Sequence, residues 1–375
     1  MTYIFWSTIL GVVYAYLGYP FLLWVLSLVR SRRLHRNEGY QPTVTLIIAV
    51  HNEVTRIERK IENTLSLTYP RDRLTIIFAS DACSDATDEI ISRYADHGLR
   101  LVRSSQRHGK EFAQRCAIEQ AASEAIVFSD VATMLQPDGI QKIVANFSDP
   151  TVGCVSSEDR FIHAQDKVSG EGAYVKYETW LRSLESRVNS VVGLSGSFFA
   201  ARRELCRNWP TNMPRDFNTL LNSVRAGYRG ISDPASIGIY TNLTDEKREF
   251  ERKVRTITRG LTALVANRVL LNPFNYPLFS WQLASHKLMR WFVPWFLCLA
   301  MVSNLLLAIR GRFYQVLLVP HLLFYILAFL GAKPRRAPIL LKIPYYFVQV
   351  NRAILVAWIK YFKGERFATW TPSQR

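Results

Sequence analysis

From Tyr3 to Val29 the sequence carries no charged side chain across 27 consecutive positions. That length exceeds a signal-peptide core and lacks the basic leader such a peptide needs, so it predicts a transmembrane helix. Arg30, Arg32, Arg33, His35 and Arg36 follow at once, whereas no charged side chain precedes the run. The positive-inside bias then puts the following domain in the cytosol and the N-terminus outside. Trp291 to Ile309 and Phe313 to Ala332 are further uncharged stretches of 19 and 20 residues, each of spanning length and each containing a proline, Pro294 or Pro320. Arg310 and Arg312 turn between them, while Lys333, Arg335, Arg336 and Lys342 follow the second and Lys360, Lys363, Arg366 and Arg375 occupy the tail. Both larger clusters are expected inside. Ile343 to Ile359, with Gln349, Asn351 and Arg352 at its centre, is then an interfacial or re-entrant helix rather than a fourth span. Phe274 to Arg290 mixes aromatic side chains with His286, Lys287 and Arg290, as in a helix lying at headgroup depth, either a plain anchor or a guide for a lipid-borne substrate.

The expected organisation is a helix and basic juxtamembrane segment over 1–36, a cytosolic domain over 37–272, an interfacial helix over 273–290, two spans over 291–332, and a basic loop, helix and tail over 333–375. The whole would sit in the inner (plasma) membrane of the cell. Lysine and arginine total 47 against 30 acidic residues, a formal charge of +17. The cations flank apolar spans and no nucleic-acid module is recognisable, so anionic lipid headgroups account for the excess better than nucleic acid does. The five cysteines are scattered without a CxxC pair, which disfavours a disulfide framework or a structural zinc site.

Between Gln41 and Pro150 the pattern alternates in type. Val44 to Val50, Leu74 to Ala79, Leu99 to Val102 and Ala125 to Phe128 read as strands. Helical stretches separate them, one opened by a Thr55–Glu58 capping box and one over Lys110 to Ala122. Alternation with short connections predicts an α/β domain, a doubly wound and mostly parallel sheet of Rossmann-like type. Ligands of such sheets bind beyond the carboxyl ends of the strands. There the sequence places His51-Asn52-Glu53, Asp81-Ala82-Cys83-Ser84-Asp85 and Asp130-Val131-Ala132-Thr133. Neither a G-x-G-x-x-G after the first strand nor a G-x-x-x-x-G-K-[ST] is present, which disfavours a dinucleotide oxidoreductase or a P-loop NTPase. Strand-end carboxylates with Arg103, Arg107 and Lys110 one loop away suit a nucleotide that carries a diphosphate.

These residues, in this order from about Pro42 to Gly260, resemble the inverting glycosyltransferases of family 2, whose catalytic domain has the GT-A fold. The flanking apolar helices look like those of membrane-bound members that build bacterial polysaccharides and glycolipids. The resemblance implies that His51, Asn52, Glu53, Asp81, Lys110 and Asp130 contact the donor nucleotide. Asp130 stands where the family has its metal-binding Asp-x-Asp, implying magnesium or manganese, but Ala132 replaces the second carboxylate. Ser195, Gly196 and Ser197 resemble the segment lining the acceptor side. Asp216 matches the catalytic base of the family's acidic pair, whose other member is here Arg215. Arg252 and Arg255 lie where processive members carry Gln-x-x-Arg-Trp and would meet the diphosphate, with Thr256 in place of the tryptophan.

The expectation is a membrane-anchored enzyme moving a sugar from a nucleoside-diphosphate donor, of UDP type, to a lipid-linked or membrane glycan acceptor, with Asp216 as general base. A processive polysaccharide synthase, a synthase charging a polyprenyl phosphate and a catalytically silent nucleotide-sugar-binding scaffold remain open beside it.

Overall fold

Val44–Val50 is buried at every position, as a strand enclosed on both faces must be. The computed structural model describes residues 1–162, 170–207, 209–241, 246–332 and 338–365. Lys333, Arg335, Arg336, Arg366 and Arg375 of the basic clusters lie outside them. The chain enters through α1 (Thr2–Val13), a π-turn, and α2 (Tyr19–Val29). It continues as β1 (Val44–Val50), α3 (Ile57–Leu65), β2 (Leu74–Ser80), α4 (Thr87–Ser92), β3 (Leu99–Arg103), α5 (Lys110–Glu119) and β4 (Ala125–Asp130). Then come β5 (Met134–Leu135), α6 (Gly139–Val144), β6 (Val152–Ile162), α7 (Gly170–Val188), β7 (Phe198–Arg202), α8 (Arg215–Arg225) and β8 (Arg229–Thr241). Five helices close the described chain: α9 (Glu246–Ala266), α10 (Pro277–Leu283), α11 (Met289–Ala308), α12 (Arg312–Gly331) and α13 (Ile339–Phe362).

The eight strands of the described residues form one sheet in the order β3-β2-β1-β4-β7-β6-β8-β5. The first four are parallel, β7 runs antiparallel to both β4 and β6, β8 is parallel to β6, and β5 is antiparallel to β8. This mixed, mostly parallel α/β sheet is the kind that the resemblance to the GT-A fold implies. Alternate side chains of β1 serve two cores. Leu46, Ile48 and Val50 pack with Ile57 and Ile61 of α3 and Ile140 and Ile143 of α6, whereas Ile47 joins Ala113 and Ala117 of α5 and Leu220 of α8 on the other face.

One local expectation fails. The Thr55–Glu58 capping box does not form, because α3 opens at Ile57, whose N–H, like that of Arg56, bonds the Glu53 carbonyl. The Glu53 main chain thus satisfies the helix start, and Thr55 stays exposed.

Among the described residues three helical stretches are long and apolar enough to cross a membrane: Thr2–Val29, Pro277–Ala308 and Arg312–Gly331. The second differs from the segmentation expected of 273–290 and 291–309, since α10 runs through a π-turn into α11 without a break. Continuity follows from hydrogen bonding, as no proline or left-handed glycine interrupts residues 278–293. Cys83, Cys116, Cys154, Cys206 and Cys298 are all free thiols.

Buried polar contacts fasten this frame to the sheet domain. Glu185 of α7, fully buried, accepts from the Tyr19 hydroxyl of α2 at 2.7 Å and meets His286 Nδ1 of the π-turn at 2.6 Å. Glu178, one helical stretch earlier, pairs with Arg290 of α11. On the far side, α13 packs on α9 through Ala353, Ala357 and Val254, and the Trp358 indole donates to the Trp291 carbonyl at 2.7 Å.

Candidate active site

The carboxyl ends of β1, β2 and β4 meet at one edge, and the backbone there is unusual. Among the described residues the only non-glycine residues with positive φ are Asn52 (52°), just past β1, and Ala82 (49°), just past β2. Such conformations cost energy and are retained where the surroundings enforce them. Reciprocal bonds between Asn52 and Ser84 tie the two strand ends: Ser84 N–H donates to Asn52 Oδ1 at 2.9 Å, and Asn52 Nδ2 to Ser84 Oγ at 3.0 Å. His51 Nδ1 donates to the Asp81 carbonyl at 2.8 Å, which fixes its tautomer. Glu53 is buried against Arg56, 2.5 Å away. Burial pushes the Glu53 carboxyl above its usual range, and Arg56 partly reverses this.

Asp81 is enclosed rather than open to a ligand. Its carboxylate accepts the N–H groups of His108 at 2.9 Å and Gly109 at 2.9 and 3.0 Å, so it holds the loop before α5 over the strand end. Gly109 has φ +96°, the left-handed region that a side chain would strain, and this turn lets both N–H groups point at one carboxylate.

The loop delivers Lys110, first residue of α5, to Asp130 at the end of β4. Lys110 Nζ lies 2.5 Å from Asp130 Oδ1, and Arg215 Nη2, from the first residue of α8, lies 2.7 Å from the same oxygen. Arg215 also donates to the Gly196 carbonyl at 2.5 Å and to Gln114 at 3.3 Å. Burial alone would raise the Asp130 pKa, but Lys110 and Arg215 outweigh it and hold the group at about 2. Burial and the Arg215 charge push the Lys110 ammonium down to about 8, against the pull of Asp130. Beneath them Lys60 of α3, fully buried, donates to Ser129 Oγ at 2.9 Å and the Thr133 carbonyl at 2.5 Å, pinning both ends of the turn that contains Asp130.

Asp216, next to Arg215, faces the same glycine. A Cβ built on Gly196 would lie 3.5 Å from Asp216 Oδ2, so the bare backbone at Gly196 leaves room beside that carboxylate. Ser195 and Ser197 turn the other way, both donating to Asp159 Oδ1, at 2.7 and 2.6 Å. They brace the segment 195–197 against β6, so the exposed feature of that segment is Gly196. Arg252 forks onto Glu249 of its own helix at 2.7 Å. Arg255, whose pKa burial and its neighbours Arg259 and Arg252 lower, feels Glu111 beside Lys110. Arg259 reaches Glu111 directly at 2.7 Å, which docks α9 against the start of α5.

The structure therefore brings Lys110, Asp130, Gly196 and Asp216 together, and His51, Asn52, Glu53 and Asp81 lie at the neighbouring ends of β1 and β2, with Asp81 closed off by the loop before α5. Sequence reasoning missed Arg215, Lys60 and Asp159. The replacement of an acid by Arg215 was visible in the sequence, but its direction was not. Lys60 and Asp159 left no sequence signal, being one cation on a helix and one acid within a strand. Among the described residues no three His, Cys, Asp or Glu side chains gather as a metal cluster.

Comparison with known proteins agrees with the fold. The profile of the family described as Glycosyl transferase family 2 matches residues 45–209. The poly-beta-1,6-N-acetyl-D-glucosamine synthase of Staphylococcus epidermidis is 26% identical over 178 residues, covering 45% of this chain and 42% of the relative. The synthase of the same name from Staphylococcus aureus strain COL matches with the same identity and coverage. The chain thus spans less than half the length of the curated relatives it matches. The mannosyltransferase PcManGT from Pyrobaculum calidifontis, solved in complex with GDP-Man and Mn2+, superimposes with a TM-score of 0.76 over 96% of this chain and 99% of its own, at 22% identity, and so shares the fold. The chain thus carries a family 2 glycosyltransferase domain over residues 45–209, with the GT-A fold, between helices long and apolar enough to cross a membrane.

Proposed function

We propose that this enzyme transfers a sugar with inversion from a nucleoside-diphosphate donor, of UDP type, to a glycan acceptor presented at the membrane surface, in the assembly of a polysaccharide or glycolipid. The observation that carries the reading is the convergence of two cations, Lys110 and Arg215, on Asp130, with the bare backbone of Gly196 beside the Asp216 carboxylate. The end of β1, with His51, Asn52 and Glu53, takes the nucleoside, while Asp81 holds the loop before α5 in place rather than touching the ligand. Asp216 is the base. As the acceptor oxygen bonds the anomeric carbon, the bond from that carbon to the diphosphate breaks, its electron pair leaves with the diphosphate, and the hydroxyl proton passes to Asp216. A single displacement needs one carboxylate, unlike the pair required by a retaining glycosidase.

The resemblance implied magnesium or manganese at Asp130. The residues present offer that ion one carboxylate, already shared by two cations, with a methyl group at Ala132 where a second acid would stand. This is a poor donor set for a hard cation that prefers several anionic oxygens. Arg252 and Arg255 are proposed to act on the diphosphate only after the start of α9 rearranges, Arg252 being committed to Glu249.

The test is transfer from a panel of nucleotide sugars by the full chain in native membranes, with products weighed by mass spectrometry. Asp216→Asn is expected to lower transfer about 10²–10⁴-fold while nucleoside diphosphate binding persists. Undiminished transfer would remove the base assignment. A processive reading draws support from the names of the curated relatives. Product length decides it, and exposed Thr256 in place of an acceptor-stacking indole favours addition of a single residue.

A further inference from the structure

The two departures from the family pattern, Ala132 and Arg215, are distant in sequence but both border Asp130. Position 132 sits in the turn that Asp130 opens, and Arg215 reaches back to Asp130 itself, 2.7 Å away. Replacing one acid by alanine and another by arginine makes this site three charges more positive than an Asp-x-Asp facing an acidic pair, more than the two charges a divalent ion would bring. We infer that Arg215, with Lys110, takes the place of the divalent ion at the donor's diphosphate, so that donor binding and transfer proceed without a metal held by the protein. The inference rests on the proposed nucleotide-sugar chemistry.

Several observations agree. Lys110 and Arg215 are 7% and 4% exposed at their side chains, so their charges are poorly screened, and one carboxylate cannot neutralise both. Each is the first residue of a helix of ten or more residues, and the positive ends of α5 and α8 reinforce them. The buried Nε of Arg215 has no hydrogen-bond partner among the described residues, so the guanidinium is not saturated by the protein. A guanidinium and an ammonium are charge-assisted donors to phosphate oxygens and meet the negative charge that grows as the diphosphate departs. An ion seated on Asp130 would instead be repelled by both neighbours at close range.

The experiment titrates the detergent-solubilised full chain with UDP and with GDP by calorimetry, once in excess EDTA and once with Mn2+. At least one nucleotide is expected to bind with affinities within about threefold in the two conditions, and sugar transfer is expected to survive EDTA. Binding or transfer only with Mn2+ overturns the inference and leaves the proposed function standing. No binding in either condition overturns both. In a second arm, Arg215→Glu combined with Ala132→Asp is expected to lose EDTA-resistant binding by about tenfold or more and to recover it with Mn2+, with a thermal melt reporting the fold. A folded double variant that binds in EDTA as tightly as the wild type overturns the inference. Should that variant not fold, the wild-type EDTA arm decides alone.

Discussion

Arg215 Nη2 lies 2.7 Å from Asp130 Oδ1 although 85 residues separate them along the chain. The contact joins the start of α8 to the end of β4 across Gly196 and makes Asp130 the shared counter-charge of two nearly buried cations. In Asp130→Asn those cations face each other with no anion between them. Removing one partner of a fully buried pair costs about 3–5 kcal/mol, and the partial exposure of Asp130 reduces this to about 2 kcal/mol. Urea unfolding of the full chain in detergent should show a loss of that size, and the additional change Lys110→Met should restore part of it. An Asp130→Asn midpoint equal to the wild type would remove the electrostatic account.

Gly196 separates the acceptor side from the donor side of the proposed reaction. A methyl group there would lie 3.5 Å from Asp216 Oδ2, an ordinary contact, so Gly196→Ala is expected to fold with a stability change under about 0.5 kcal/mol. Its effect should fall on the acceptor, whose hydroxyl must approach that carboxylate. Steady-state kinetics should give a raised acceptor KM with donor affinity unchanged. Equal losses for both substrates would place Gly196 elsewhere in the reaction.

Lys60 gives a dependence on pH with a definite sign. Burial pushes its ammonium from 10.5 down to about 7, with Asp130 opposing. From pH 7 to about 10 the unfolded chain therefore holds a proton on this side chain that the folded chain has released, and stability contributed by this group rises with pH over that window. Lys60→Met removes the proton from both states. Between pH 7 and pH 9 the wild type should gain about 2 kcal/mol more than the variant, read as the difference in unfolding free energy. Parallel pH profiles would show that Lys60 stays charged in the fold.

Part of this was legible before any tertiary structure. Val44–Val50 was found to its ends because a strand buried on both faces must be continuously apolar, and that pattern is local. The uncharged helices were equally plain. The Thr55 capping box was misread because the same N–H groups could be satisfied by a main-chain carbonyl, which no side-chain pattern reports.

The sequence alone determined which polar clusters end which strands, since strand and turn preferences are written within a few neighbouring residues. It could not say how each cluster is used. Asp81 is occupied by the N–H groups of His108 and Gly109, Ser195 and Ser197 by Asp159, and Asp130 by two cations from separate helices. Those partners lie 20 to 85 residues away from the groups they bind. Only the order β3-β2-β1-β4-β7-β6 brings them together, because side-chain electrostatics acts over a few ångströms of space whatever the distance along the chain.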